Sequence, residues 1–254
     1  MKFFYALLIC LLLEVSVSPG IVRSAEPVKI VAASNLVQVL PELLKDTGFS
    51  YNLTFTASGT AAHQIIRGAG YDLFLSADEK NVFILRDKGL TQGEGAVFAK
   101  GRLVFFVSKR SPINAIKDLD ELIKFSGNLR LALADPELAP FGIAARQYLI
   151  SAGLWDAPNV KYIFGESVAG TALYVLTGTV DGAFLAASQL YGGALSDKGR
   201  AINLKPGSYD SEVLKHRMVI IKNSNSRTKE IYDYILSPAA SAKLKNMGFD
   251  PVNP

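Results

Sequence analysis

Apolar residues in this chain fall in short runs, and each run is followed by small or polar residues and then by a helical spacing. Residues 28–33 (VKIVAA) form the first run, which ends at Ser34-Asn35. A run this short before two cap-type residues predicts a buried strand feeding a helix. Pro41 fits as the first residue of a helix that continues to Lys45, because proline suits a first helical turn. Residues 51–55 alternate as a strand, 56–60 (TASGT) make a turn, and 61–67 read as a helix ended by Gly68 and Gly70. A third buried strand is expected at 71–75, with Asp78 opening a helix to Lys88. The pattern then repeats. Strands are expected at 103–107, 129–134, 160–164, 181–186 and 217–221, and helices at 143–152, 168–176, 228–236 and 238–247. Strand, polar turn and helix in succession predict α/β lobes, each with a mostly parallel sheet flanked by helices. The expected boundaries are a leader at 1–24, a first lobe at 25–100, a second at 101–212, and a tail at 213–254 that returns to the first lobe.

The leader carries a targeting pattern. Lys2 precedes an apolar run from Phe3 to Leu13, and Ser16, Ser18, Pro19 and Gly20 follow it. That run is well short of the ~20 residues that cross a bilayer. Small residues around 24/25 suit cleavage, so the expected location is the periplasm. Cys10 lies inside the run after Ile9, which does not suit a lipid-anchored cysteine. It is the only cysteine, so a cleaved chain has no disulfide and depends on burial for its stability.

Charge and composition narrow the function. With 27 Lys+Arg against 23 Asp+Glu, the net charge is only +4 and the basic residues are scattered, which argues against nucleic acid. The two histidines, His63 and His216, are far apart in the chain, and no zinc-type ligand spacing is present. Ser58 lies in Ala-Ser-Gly-Thr rather than in a nucleophile elbow. His63 reads as an exposed or packed helix residue and His216 as a solvated residue before a strand. No catalytic set, metal ligation or cofactor is expected. Four strand-to-helix turns remain, at 33–35, 57–60, 139–142 and 166–168. Each offers free backbone amides and the positive end of a helix dipole. If they converge, they make a donor-rich, cation-poor site for a small anion. Taken singly, Ser34 and Ser58 read as ordinary helix caps.

At these same turns the chain resembles the periplasmic molybdate-binding proteins of ABC transporters. The markers are VAAS at 31–34, FTASGT at 55–60, DLFLSADEK at 72–80, DPE at 135–137, APFG at 139–142, GLWD at 153–156 and ESV at 166–168. The resemblance implies a type II periplasmic binding protein fold with two hinged lobes, closing on molybdate or tungstate and delivering it to an inner-membrane ABC permease as a monomer. It implies that Ser34, Asn35 and Ser58 bind the anion from one lobe, and the Phe141 segment and Val168 from the other. Relatives place a tyrosine hydroxyl in the site at the positions of Ala186 or Phe141. This chain has neither, and the Phe141 ring is expected to fill the space beside Ala186. Rival readings are another anion or small acid, a ligand-sensing module, or an enzyme on the same fold, which lacks a plausible general base.

Overall fold

The computed structural model describes residues 26–252. The expected leader, with Lys2 and Cys10, lies outside them. Two sheets organise the chain. The first has the order β11-β4-β10-β3-β1-β2 and the second β7-β6-β8-β5-β9. In the first, β1 (Val28–Ala33) runs parallel to β2 (Tyr51–Thr56) and to β3 (Leu73–Leu75). β1 is buried at five of its six positions, as a central strand covered on both faces must be. β2 alternates between half-buried and exposed near its start, the signature of an edge strand.

The second sheet mirrors this arrangement. β6 (Leu129–Ala134) lies parallel between β7 (Val160–Gly165) and β8 (Gly182–Ala186). The remaining strands run antiparallel. β4 (Ala96–Gly101) pairs with β10 (Lys215–Ile220) and with β11 (Phe249–Asp250), and β10 also pairs with β3. β5 (Leu103–Ser108) pairs with β8 and with β9 (Gly199–Asn203). β4 is followed by β5 after a single residue, so the chain passes straight from one sheet into the other at Gly101. It returns between β9 and β10. Each sheet thus combines three parallel strands with antiparallel strands brought in by the crossings. β9 and β11 have no apolar run of their own, so periodicity does not announce them, and the apolar residues 96–99 that open β4 stand only three residues before the longer run of β5.

The helices cover both sheets: α1 (Val39–Leu44), α2 (Ser58–Ile66), α3 (Lys80–Asp87), α4 (Leu119–Ile123), α5 (Pro140–Ser151), α6 (Val168–Leu176), α7 (Thr228–Ile235) and α8 (Pro238–Asn246). α1 begins two residues before Pro41. Proline is tolerated there because amides in a first turn have no intrahelical acceptor. α7 and α8 pack on β10, β4 and α1, so the C-terminal segment covers the first sheet. Arg217 fastens β10 to α3. Its guanidinium donates to Glu79 at 2.6 and 2.9 Å and lies over the Phe83 ring. Among the described residues no helix is long and apolar enough to cross a membrane.

Candidate functional site

The site forms where parallel strands end together. Ala33 of β1 lies opposite Thr56 of β2, and Ala134 of β6 opposite Gly165 of β7. Each strand breaks into a turn at its carboxyl end, the position where open α/β sheets take ligands. Two contacts join these turns across the seam between the sheets. The Ala169 N–H, at the start of α6, donates to Ser34 Oγ at 3.3 Å. The Gly59 N–H, at the start of α2, donates to Leu138 O at 3.0 Å, just before α5. A β-carbon on Gly59 would sit 2.9 Å from that carbonyl, so glycine is what lets the two turns approach.

The two serines are not helix caps. Ala57 precedes α2 in an extended conformation, and Ser58 is the first helical residue. Its Oγ instead accepts the Ala77 N–H at 3.0 Å, in the turn after β3. Ser34 opens a short 3-10 turn without side-chain capping. Both serines are buried. Each hydroxyl accepts from a backbone amide and keeps its own proton for another acceptor. Behind Ser58, Asp78 accepts from Ser76 Oγ at 2.7 Å and from the Asn81 N–H at 3.1 Å, which fixes the start of α3. Burial raises its carboxyl pKa, while those hydrogen bonds pull the other way.

The Asn35 side chain turns away into the protein interior. Its Nδ2 donates to His216 Nε2 at 3.0 Å and lies 3.4 Å from Ser188 Oγ. Both hydrogens of the Asn35 side-chain amide are thereby engaged within the protein. His216, expected in solvent, is wholly buried. Its Nδ1 lies 2.9 Å from Leu214 O, and burial pulls its pKa down to about 4. His63, in α2, is exposed.

Phe141 and Val168 sit at the starts of α5 and α6, where amides have no intrahelical acceptor. The Phe141 ring is buried and turns its edge to the His216 ring, with centroids 6.1 Å apart. Its Cζ would meet a β-carbon on Gly101 at 3.0 Å. The ring therefore serves the core at the crossing between sheets. Beside Ala186 the organising group is Gln189. Its Oε1 accepts the Ala186 N–H and its Nε2 donates to Val168 O, both at 2.9 Å. Ser167 caps α6 by accepting the Gly170 N–H at 3.2 Å.

Ser188 and Gln189 escaped the sequence reading, and His216 was taken for a solvated residue because its partners lie far away in the chain. Ser188 and Gln189 had one faint signal, as the first two polar residues after the apolar run of β8. Among the described residues no Lys or Arg side chain bonds to any of the five expected site residues. No cluster of three or more potential metal ligands occurs there either. The arrangement offers hydroxyl and amide hydrogens, with the positive ends of helix dipoles and no salt bridge.

Two sheets flanked by helices, with donor-bearing turns facing each other along the seam between them, define the class of two-lobed solute-binding proteins. Residues 28–250 match the family of bacterial extracellular solute-binding proteins, and the chain belongs to that family. It is 29% identical to the molybdate-binding protein ModA of Azotobacter vinelandii, over 89% of this chain and 90% of that one. ModA of Escherichia coli is 27% identical, over 87% and 88%. The solved Azotobacter vinelandii periplasmic molybdate-binding protein superposes with a TM-score of 0.78 at 26% identity, covering 89% of this chain and all but 1% of that one. A sulfate-binding protein of Mycobacterium tuberculosis shares the fold, with a TM-score of 0.70 at 15% identity.

Proposed function

We propose that this protein is an exported, monomeric oxyanion carrier that takes up molybdate, and tungstate by its like charge and shape, and hands it to an inner-membrane ABC permease. The observation that supports this most is the pair of buried hydroxyls at Ser34 and Ser58. Neither caps a helix, and each retains a proton beside converging helix starts. The proposed donors are the hydroxyls of Ser34 and Ser58 with the amides of Asn35, Ser58, Phe141 and Val168. A dianion held by such groups gains ~1.5–3 kcal/mol from each charge-assisted hydrogen bond. A donor-only lining selects fully deprotonated anions, because no acceptor is present to take a proton from the ligand. The names of the ModA relatives point to the same ligand.

The test is calorimetric titration with molybdate, tungstate, sulfate and phosphate. Molybdate and tungstate should bind more tightly than the other two. Ligand at a hundred times its dissociation constant should add ~2.7 kcal/mol to stability. Binding of another anion or a small acid, with no heat from either metal oxyanion, would replace this ligand assignment. Export is proposed with cleavage near residue 24 or 25. The intact mass of periplasmic material should then begin at Ala25 or Glu26, and a chain that keeps Met1–Leu13 would end that reading.

A further inference from the structure

His216 has no part in donating to an anion, yet it is wholly buried at the crossing between the sheets. Three aromatic rings box it in. Phe98 and Phe249, with centroids at 5.9 and 5.2 Å, come from β4 and β11 of the first sheet. Phe141, at 6.1 Å, comes from α5 on the second. A β-carbon on Gly101 would stand 2.7 Å from His216 Cε1, so the crossing strand leaves no spare room.

The hydrogen bonds fix the tautomer. Leu214 O can only accept, so Nδ1 carries the proton and donates to it at 2.9 Å. Nε2 is then bare and accepts from Asn35 Nδ2 at 3.0 Å. The other Nδ2 hydrogen is directed to Ser188 Oγ at 3.4 Å, and the Ser188 hydroxyl donates back to Asn35 O at 3.0 Å. Ser188 follows β8 of the second sheet, whereas Asn35 follows β1 of the first. One imidazole thus lies behind a two-way link between the sheets, one residue from Ser34. With its pKa near 4 the ring stays neutral at pH 7. Its charged chain neighbours are engaged elsewhere, Lys215 with Glu212 and Arg217 with Glu79.

We propose that His216 is a positioning residue of the closed seam: it fixes the Asn35 amide, and Asn35 in turn ties the Ser34 turn to Ser188 of the opposite sheet. The effect on ligand rests on the oxyanion reading, whereas the link itself does not. Loss of the Nε2 acceptor frees the Asn35 amide to rotate, and the turn that carries Ser34 loses its backing.

Molybdate titrations of wild type, His216→Phe, His216→Gln, Ser188→Ala and the His216→Phe/Ser188→Ala double variant test the proposal. Phenylalanine keeps a ring in the box without an acceptor, and glutamine carries a carbonyl able to replace Nε2. His216→Phe should weaken binding tenfold or more, and His216→Gln less than threefold. The double variant should be within threefold of His216→Phe alone, because both changes break one link. An unchanged affinity in His216→Phe with only a lower melting temperature would overturn the proposal, as would equal losses in the Phe and Gln variants. A second measurement needs no anion. Ser188→Ala should shift the 15N resonance of His216 Nε2, and an unmoved resonance overturns the link whatever the protein binds. A shifted resonance in a protein that takes no molybdate upholds the link and removes only the oxyanion reading.

Discussion

The turns that face each other across the seam use serine in opposite ways. On the second sheet, Ser167 is an ordinary cap, accepting the Gly170 N–H at the start of α6. On the first, Ser58 stands one residue further on, inside α2, and its hydroxyl reaches across to Ala77. The turns of the first sheet therefore carry hydroxyl protons besides their amides, and those of the second carry amides alone. Their backing differs as well. Gln189, which cannot titrate, braces Val168, whereas the titratable imidazole of His216 braces Asn35. Residue type at a turn does not fix its task. A shift of one position against the helix start turns a cap into a free donor.

Acid should expose the difference in backing, and this is the largest expected effect. Burial lowers His216 from 6.5 to about 4, so the unfolded chain takes up the proton first as the pH falls. The stability present above pH 6.5 is lost progressively toward pH 4, about 2–3 kcal/mol between pH 7 and 4.5. The raised carboxyl of Asp78 acts in the opposite sense. The His216 contribution is therefore read as the difference between the denaturation pH profiles of wild type and His216→Phe. Parallel profiles would show that the imidazole is already solvated.

Ser34→Ala and Ser58→Ala should each weaken anion binding by ~1.5–3 kcal/mol, and Ser58→Ala should also lower the melting temperature, because it leaves the buried Ala77 N–H without its acceptor at a cost of ~1–3 kcal/mol. Titration and thermal melts of the same samples check this. A loss of stability without a loss of affinity would make the two sheets alike. Gly59→Ala places a methyl 2.9 Å from Leu138 O, which opposes closure of the seam. A steric cost of ~1–3 kcal/mol on the closed form alone lowers the apparent affinity by roughly fivefold to somewhat over a hundredfold. Unchanged titration curves would show that the seam does not close on its ligand through this contact. The smallest effect belongs to Ser167→Ala. It should cost ~1 kcal/mol of stability and leave affinity nearly as it was, as checked by urea denaturation beside titration.

Much of the architecture was readable in one dimension. β1, β3, β6 and β8 are short runs buried on both faces, and such strands announce themselves by composition. The turns at 33–35, 57–60, 139–142 and 166–168 were legible because small and hydroxyl residues follow those runs. β9 and β11 were not, since antiparallel partners rather than an apolar run stabilise them, and β4 was not because its short apolar start at 96–99 stands next to the stronger run of β5. His216 was misread as solvated because the charged Lys215 and Arg217 flank it. Alternation along β10 sends those two side chains outward and the imidazole into the core.

The amino-acid sequence by itself determined the α/β class, the succession of strand, turn and helix, and the family, because those follow from short-range periodicity and local turn chemistry. Tertiary structure alone decided that Ser34 meets Ala169, that Gly59 meets Leu138, and that Asn35 spends its amide on His216 and Ser188. These partners are separated by 79 residues or more, 181 for Asn35 and His216. No local pattern encodes such pairings. They arise when the chain crosses between the sheets near Gly101 and again before β10, and burial then requires every polar group at the crossing to find a partner.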